Sequence, residues 1–211
     1  MARMCLSCVT EPADPAVQQA VAEFGTVEVW EGLLRGSGSV SERAQRLDMD
    51  ELRRSARSSG LRFVIPGDPE WPERLGDLGR AEVVRRLSGV PLGLWLRGGG
   101  DLAALCERSV AVVGSRASTP YGERVAAEWS ADLGDAGYAV VSGGAYGIDA
   151  AAHRGGLAGR MPTVAVLAGG VDVPYPRAHD ALFRKIAERG VLVSELRPGE
   201  HPTKVRFLGR N

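Results

Sequence analysis

Three short glycine-bearing segments hold the residues best suited to do chemistry. The first, Gly114-Ser115-Arg116, leaves an apolar run and enters a helix-compatible stretch through Thr119-Pro120. Free backbone amides at such a helix start suit a phosphate, and Arg116 adds a charged fork. An ordinary turn with a solvated arginine is the plainer reading. The second segment is Ser142-Gly143-Gly144-Ala145-Tyr146-Gly147. Its glycines let backbone approach a ligand closely or adopt positive φ. It runs into Asp149 and His153, four residues apart and so on one helix face. That pair reads as acid–base machinery, as ligand contacts, or as a structural pair fixing the loop. The third segment, Gly169-Gly170-Val171-Asp172, continues into Tyr175 between Pro174 and Pro176. Tyr175 either stacks on a base or closes the pocket as a core residue. From Lys204 onward come Lys204, Arg206 and Arg210 with Phe207 and no acid, ending at Asn211. Cations for phosphates beside a ring for a base suit single-stranded nucleic acid. A solvated loop with Phe207 tucked inward is the alternative.

Other chemistries lack their signatures. GxGxxG is absent, and so is GxxxxGK[ST], which excludes the standard dinucleotide and triphosphate loops. No serine sits in GxSxG. Cys5 and Cys8 have CxxC spacing, but no second pair follows, and His153, His179 and His201 lack finger spacing. The cysteines, Cys106 included, therefore read as incidental thiols, and no metal or cofactor is expected. An enzyme reading would have to rest on the pocket alone, so a non-enzymatic role is expected.

Elements that position these residues can be read from apolar runs and breakers. Residues 1–60 read as a small helical domain of short pieces, closing at Gly25, Gly36 and Gly60. Residues 61–108 read as a linking segment, with strand candidates at 61–66 and 91–97. From residue 109 the pattern becomes regular. Apolar strands near 110–113, 139–141, 163–167 and 191–194 alternate with helices at 120–136, 148–157 and 179–189. This is the signature of an α/β fold with a mostly parallel sheet and helices on both faces. Three strands end in the glycine segments, which therefore gather at the carboxyl edge, where open α/β sheets bind ligands.

Composition bounds the partners. The 211 residues carry 26 basic and 26 acidic groups, so no strong global field draws a polyanion. Residues 1–108 hold 14 basic and 16 acidic groups, and residues 109–211 hold 12 and 10. Attraction to nucleic acid must therefore come from local placement. No apolar run approaches about 18 residues, so no membrane span is expected. Three cysteines and no apolar leader point to the cytoplasm.

Several stretches together resemble the bacterial DNA-processing protein A (DprA/Smf) family. They are Val112-Val113-Gly114-Ser115-Arg116, Ser142 through His153, Val166 through Pro176, Ser194-Glu195 and Phe207 through Asn211. The resemblance implies binding of single-stranded DNA without strong sequence preference, in DNA uptake, natural transformation and loading of the recombinase RecA. It also implies a homodimer formed through the Rossmann-like domain. By resemblance Arg116 contacts phosphate, Lys204 and Phe207 lie at the pocket mouth, and Arg210-Asn211 begins an Arg-Asn-Arg signature. The glycines 114, 143, 144, 147, 169 and 170, with Ser115 and Ser142, would shape that pocket. Asp149, His153, Asp172 and Tyr175 would support it or touch the ligand. Typical members continue past this signature, so residues 109–211 are expected to form an incomplete domain. Two other readings stand beside this one: an enzyme acting on a nucleotide or phosphorylated metabolite in the same pocket, and a protein-interaction module.

Overall fold

The computed structural model describes residues 1–80 and 89–210. Asn211, one of the expected ligand contacts, lies outside the described residues. Five helices come first: α1 (Ala2–Val9), α2 (Pro15–Phe24), α3 (Thr26–Arg35), α4 (Ser39–Gln45) and α5 (Met49–Ser58). Then follow β1 (Leu61–Val64), a 3-10 stretch Glu73–Arg80, β2 (Leu94–Arg97) and α6 (Leu102–Glu107). The alternating part comprises β3 (Ser109–Ala111), α7 (Pro120–Asp135), β4 (Ala139–Ser142), α8 (Ile148–Ala158), β5 (Thr163–Val166), α9 (Asp180–Arg189) and β6 (Val191–Ser194). A last helix, α10, spans Lys204–Arg210.

Local chemistry starts many of these helices. Asp14, Asp48, Asp101 and Thr119 each accept a backbone N–H from the first turn of the helix that follows. Pro15 and Pro120 sit at the first helical positions, where a missing N–H costs nothing. The stretch from Lys204 onward, for which a solvated loop is the alternative reading, is helical because Thr203 begins a turn. The Arg206 amide donates to Thr203 Oγ1 at 3.3 Å, and the Phe207 amide donates to the Thr203 carbonyl at 3.0 Å.

One six-stranded sheet organises the chain, in the order β1-β2-β6-β5-β4-β3. β3 to β6 are parallel, while β2 runs antiparallel to β6 and β1 to β2. Residues 61–108 thus supply two strands to the sheet they lead into. The parallel strands step in one direction only. Right-handed crossovers then place α7, α8 and α9 on one face.

Strand alternation sorts the core into two layers. Leu61, Trp95, Ala165 and Leu192 face Phe183 and Ile186 of α9, and the same cluster takes in Cys8, Val9, Ala44 and Ala56 from the amino-terminal helices. That helical region therefore packs directly on the sheet. On the other face Val164, Val191, Val193 and Leu96 meet Leu102 and Leu105 of α6. Helices cover both faces, although the crossovers share one. α7 and α8 approach closely because Gly155 has no side chain; a Cβ there would strike the Ala127 carbonyl. No helix among the described residues is long and apolar enough to cross a membrane.

Candidate functional site

Parallel strands β3, β4 and β5 are neighbours, so the loops leaving their carboxyl ends lie side by side. α10 lies beside the same edge, with Val205, Arg206, Gly209 and Arg210 lining an apolar groove of 320 Å³ over Val141, Val164, Val166 and Val193. Its Phe207 ring is the meeting point of three elements. The Arg116 guanidinium from the first loop lies 4.8 Å from the ring centroid. Tyr175 from the third loop lies 5.6 Å away, ring to ring, at a 56° tilt. The Arg210 guanidinium is 5.9 Å from the same centroid. Arg116 is exposed, Tyr175 is 52% exposed and Phe207 half-buried. Lys204 is exposed in the first turn of α10. The cluster therefore offers a cation, a second cation and two aromatic surfaces at one place.

Arg210 points inward. Its side chain is only 10% exposed, with Nη1 donating to the Val166 carbonyl at 3.2 Å and lying 4.0 Å from Asp149 Oδ2. Burial lowers its pKa, and the Asp149 carboxylate opposes that shift. The guanidinium fills the space beside Gly143 where a Cβ would stand. Asp149 in turn accepts the Ala145 amide at 3.3 Å, so the Arg210–Asp149 pair anchors α10 to the second loop.

The other expected residues divide between surface and scaffold. Gly114 and Ser115 are exposed in the first loop. Ser115 Oγ donates to the Ala117 carbonyl, and the Ser115 carbonyl accepts the Ile148 amide at the start of α8. Gly147, at φ +73°, is required there: a Cβ would strike the Ser115 and Arg116 carbonyls. Ser142 is buried, with Oγ donating to the Val112 carbonyl at 2.6 Å. Gly144, at φ +69°, lies against Phe183. Gly169 and Gly170 are buried beneath residues 197–202, and the Gly170 amide donates to the Glu200 carbonyl. Asp172 accepts the Gly199 amide with both oxygens, at 2.9 and 3.1 Å. These latter groups hold the third loop closed.

His153 lies fully buried. Thr163 Oγ1 donates to the Val140 carbonyl, so His153 Nδ1 donates to Thr163 Oγ1 at 2.8 Å. Burial pushes its pKa down to about 3, leaving a neutral ring. Of the readings for Asp149 and His153, this geometry favours structural support. Among the described residues no group of three or more His, Cys, Asp or Glu side chains could hold a metal ion.

Three positions take roles that the sequence reading did not give them. His179 Nδ1 meets the Gly144 carbonyl at 3.0 Å, and its ring lies edge-on to Tyr146 at 4.9 Å. Arg206 ties α10 to the turn after α1 through Glu11 and to Glu200, at 2.9 and 2.7 Å. Glu195, at the end of β6, lies against the apolar groove, and burial pushes its pKa up to about 7. No spacing in the sequence signals such long-range pairings.

The fold and the cluster define a Rossmann-like protein with a cation–aromatic site at the carboxyl edge of its sheet. Residues 62–211 match the family model of DNA recombination-mediator protein A, and the chain belongs to that family. It is 43% identical over 216 residues to the Mycobacterium tuberculosis protein named DNA processing protein DprA, covering 98% of this chain and 55% of that one. The chain thus spans about half the length of that curated relative. Protein Smf of Synechocystis is 32% identical, over 71% of this chain and 36% of its own. Among solved structures, DNA processing protein A from Streptococcus pneumoniae superposes with a TM-score of 0.75 at 25% identity, covering 100% of this chain and 72% of that one. DNA processing protein A from Helicobacter pylori, studied for its single-stranded DNA binding mode, gives 0.57 at 26% identity over 72% and 64%.

Proposed function

We propose that this protein binds single-stranded DNA without strong sequence preference at the carboxyl edge of its sheet. Arg116, Lys204 and the amides of the first loop meet phosphates, and a base stacks on the exposed surface of Phe207 and Tyr175. The observation that carries this reading is the meeting of Arg116 and Tyr175 at the Phe207 ring. An aromatic pair beside a cation accepts any base, because every base has a π-face. The M. tuberculosis, S. pneumoniae and H. pylori relatives, named for DNA processing, support the same substrate. Gly143, Gly144, Gly169 and Gly170 shape this edge, while Ser142, Asp149, His153 and Asp172 support it from within. Asn211 is a further proposed ligand contact.

The biological setting that fits is a non-enzymatic, cytoplasmic role in DNA uptake and natural transformation, with hand-over to the recombinase RecA. A homodimer is the expected assembly. The enzyme alternative is disfavoured because His153 is buried and neutral and Asp149 faces Arg210.

Competition tests the substrate. Labelled oligo-dT bound to the protein is challenged with unlabelled oligo-dA, a mixed-sequence strand and a duplex. Both single strands displace the probe at similar concentrations on this reading, and the duplex does so poorly. Preferential displacement by duplex, or by a mononucleotide, overturns it.

A further inference from the structure

We propose that the groove between α8 and α9 is a second phosphate-binding track, carrying a single strand onward from the carboxyl edge. The inference rests on the function proposed above and extends it by a further site. α7 and α8 pack tightly, but α8 and α9 leave an open groove of 620 Å³ between them. Arg154 of α8 and Lys185 and Arg189 of α9 line it, against a single acid, Glu188. Arg154 and Lys185 are exposed and make no salt bridge among the described residues. Arg189 donates to the Leu157 and Arg160 carbonyls at the end of α8, with no acid in its grip. Three cations thus face one open channel in a protein of zero net charge.

Continuity with the first site identifies the ligand. Gly147 abuts the carbonyls of Ser115 and Arg116. Its neighbour Tyr146 is 50% exposed and lies edge-on to His179. His179 lines the head of the α8–α9 groove. A strand leaving Arg116 therefore meets an exposed aromatic, then the groove. From Ile148 to Arg154 α8 advances about 9 Å, and from Asp180 to Lys185 α9 advances about 7.5 Å. Each cation thus stands within the first two turns of its helix, one on each wall of the groove. Long, flexible side chains at that position suit a mobile polyanion followed by charge rather than by base identity. Tyr146 supplies a stacking platform where the strand turns from one site into the other.

Anisotropy with two oligo-dT lengths, about 6 and about 20 nucleotides, tests this across a salt series. The short strand fills only the site around Phe207, and the long one reaches the groove. In the double variant Arg154→Gln/Lys185→Gln, the long strand weakens about tenfold and its salt slope flattens by about 1.4, while the short strand is unchanged. Glu188→Gln strengthens long-strand binding and leaves the short strand alone. Equal long-strand affinity and slope in the unaltered and double-variant proteins overturns the track. Failure of the unaltered protein to bind either strand overturns the underlying function instead.

Discussion

The Arg116 guanidinium lies 4.8 Å from the centroid of the Phe207 ring, joining the loop after β3 to the last described helix. The contact leaves Arg116 exposed. Its two partners make different contributions to ligand binding. Phe207→Ala removes a stacking surface worth about 1–3 kcal/mol of affinity, with little effect on salt dependence. Arg116→Ala flattens the logarithmic salt slope by about 0.7, one phosphate's worth. Isothermal titration at several salt concentrations separates the two effects. Equal salt slopes for both variants would contradict this division.

Gly143 keeps its place because the Arg210 guanidinium occupies the space beside it. Gly143→Ala forces that buried side chain to move, with an expected cost of about 1–3 kcal/mol. Arg210→Ala in the same chain relieves the clash. Chemical denaturation of the four proteins in this cycle therefore yields a favourable coupling for the double substitution. Additive costs would show that the two positions do not meet.

Glu195 gives the protein a pH signature. Burial pushes its carboxyl up to about 7 in the folded chain, from an ordinary value of 4.5. Through that window the unfolded chain releases a proton that the folded chain keeps. Stability contributed by this group is full below pH 4.5, falls as pH rises, and levels off above about 7. Glu195→Gln stabilises the protein by about 1–2 kcal/mol at pH 8 and changes little at pH 4. Urea midpoints at the two pH values check the sign. Greater stabilisation at pH 4 would reverse it.

Arg206 joins Glu11 to Glu200, with its own side chain 14% exposed. Arg206→Ala cuts the tie between α10 and the amino-terminal helices. About 1 kcal/mol is expected, because Glu11 remains half-exposed and screened. For a chain of this size that lowers Tm by about 2–4 °C, readable by calorimetry. Glu11→Gln removes only part of the effect.

Much of this arrangement is legible in the sequence. The runs ending in Gly114, Gly143 and Gly169 mark strand ends because buried parallel strands are continuously apolar and their exits need small residues. Those exits converge on the edge that Arg116 and Tyr175 occupy. What is not legible depends on contacts between distant residues. Strand order decides that α7, α8 and α9 share a face, and no local pattern encodes strand order. Residues 61–108 read as a link because β1 and β2 are four residues each and their partners lie far along the chain. α1 went unread for lack of a side-chain cap at its start. The inward turn of Arg210 follows from Asp149 and the Val166 carbonyl, neither near it in sequence. An arginine near an aromatic residue looks the same in sequence whether it faces solvent or core.

Salt-dependent binding of oligo-dT by the unaltered chain and by Arg116→Ala/Lys204→Ala tests the central claim most directly. The account predicts linear loss of affinity with the logarithm of salt concentration, and a slope shallower by about 1.4 in the variant. Binding that ignores salt, or a variant slope equal to that of the unaltered chain, would contradict it.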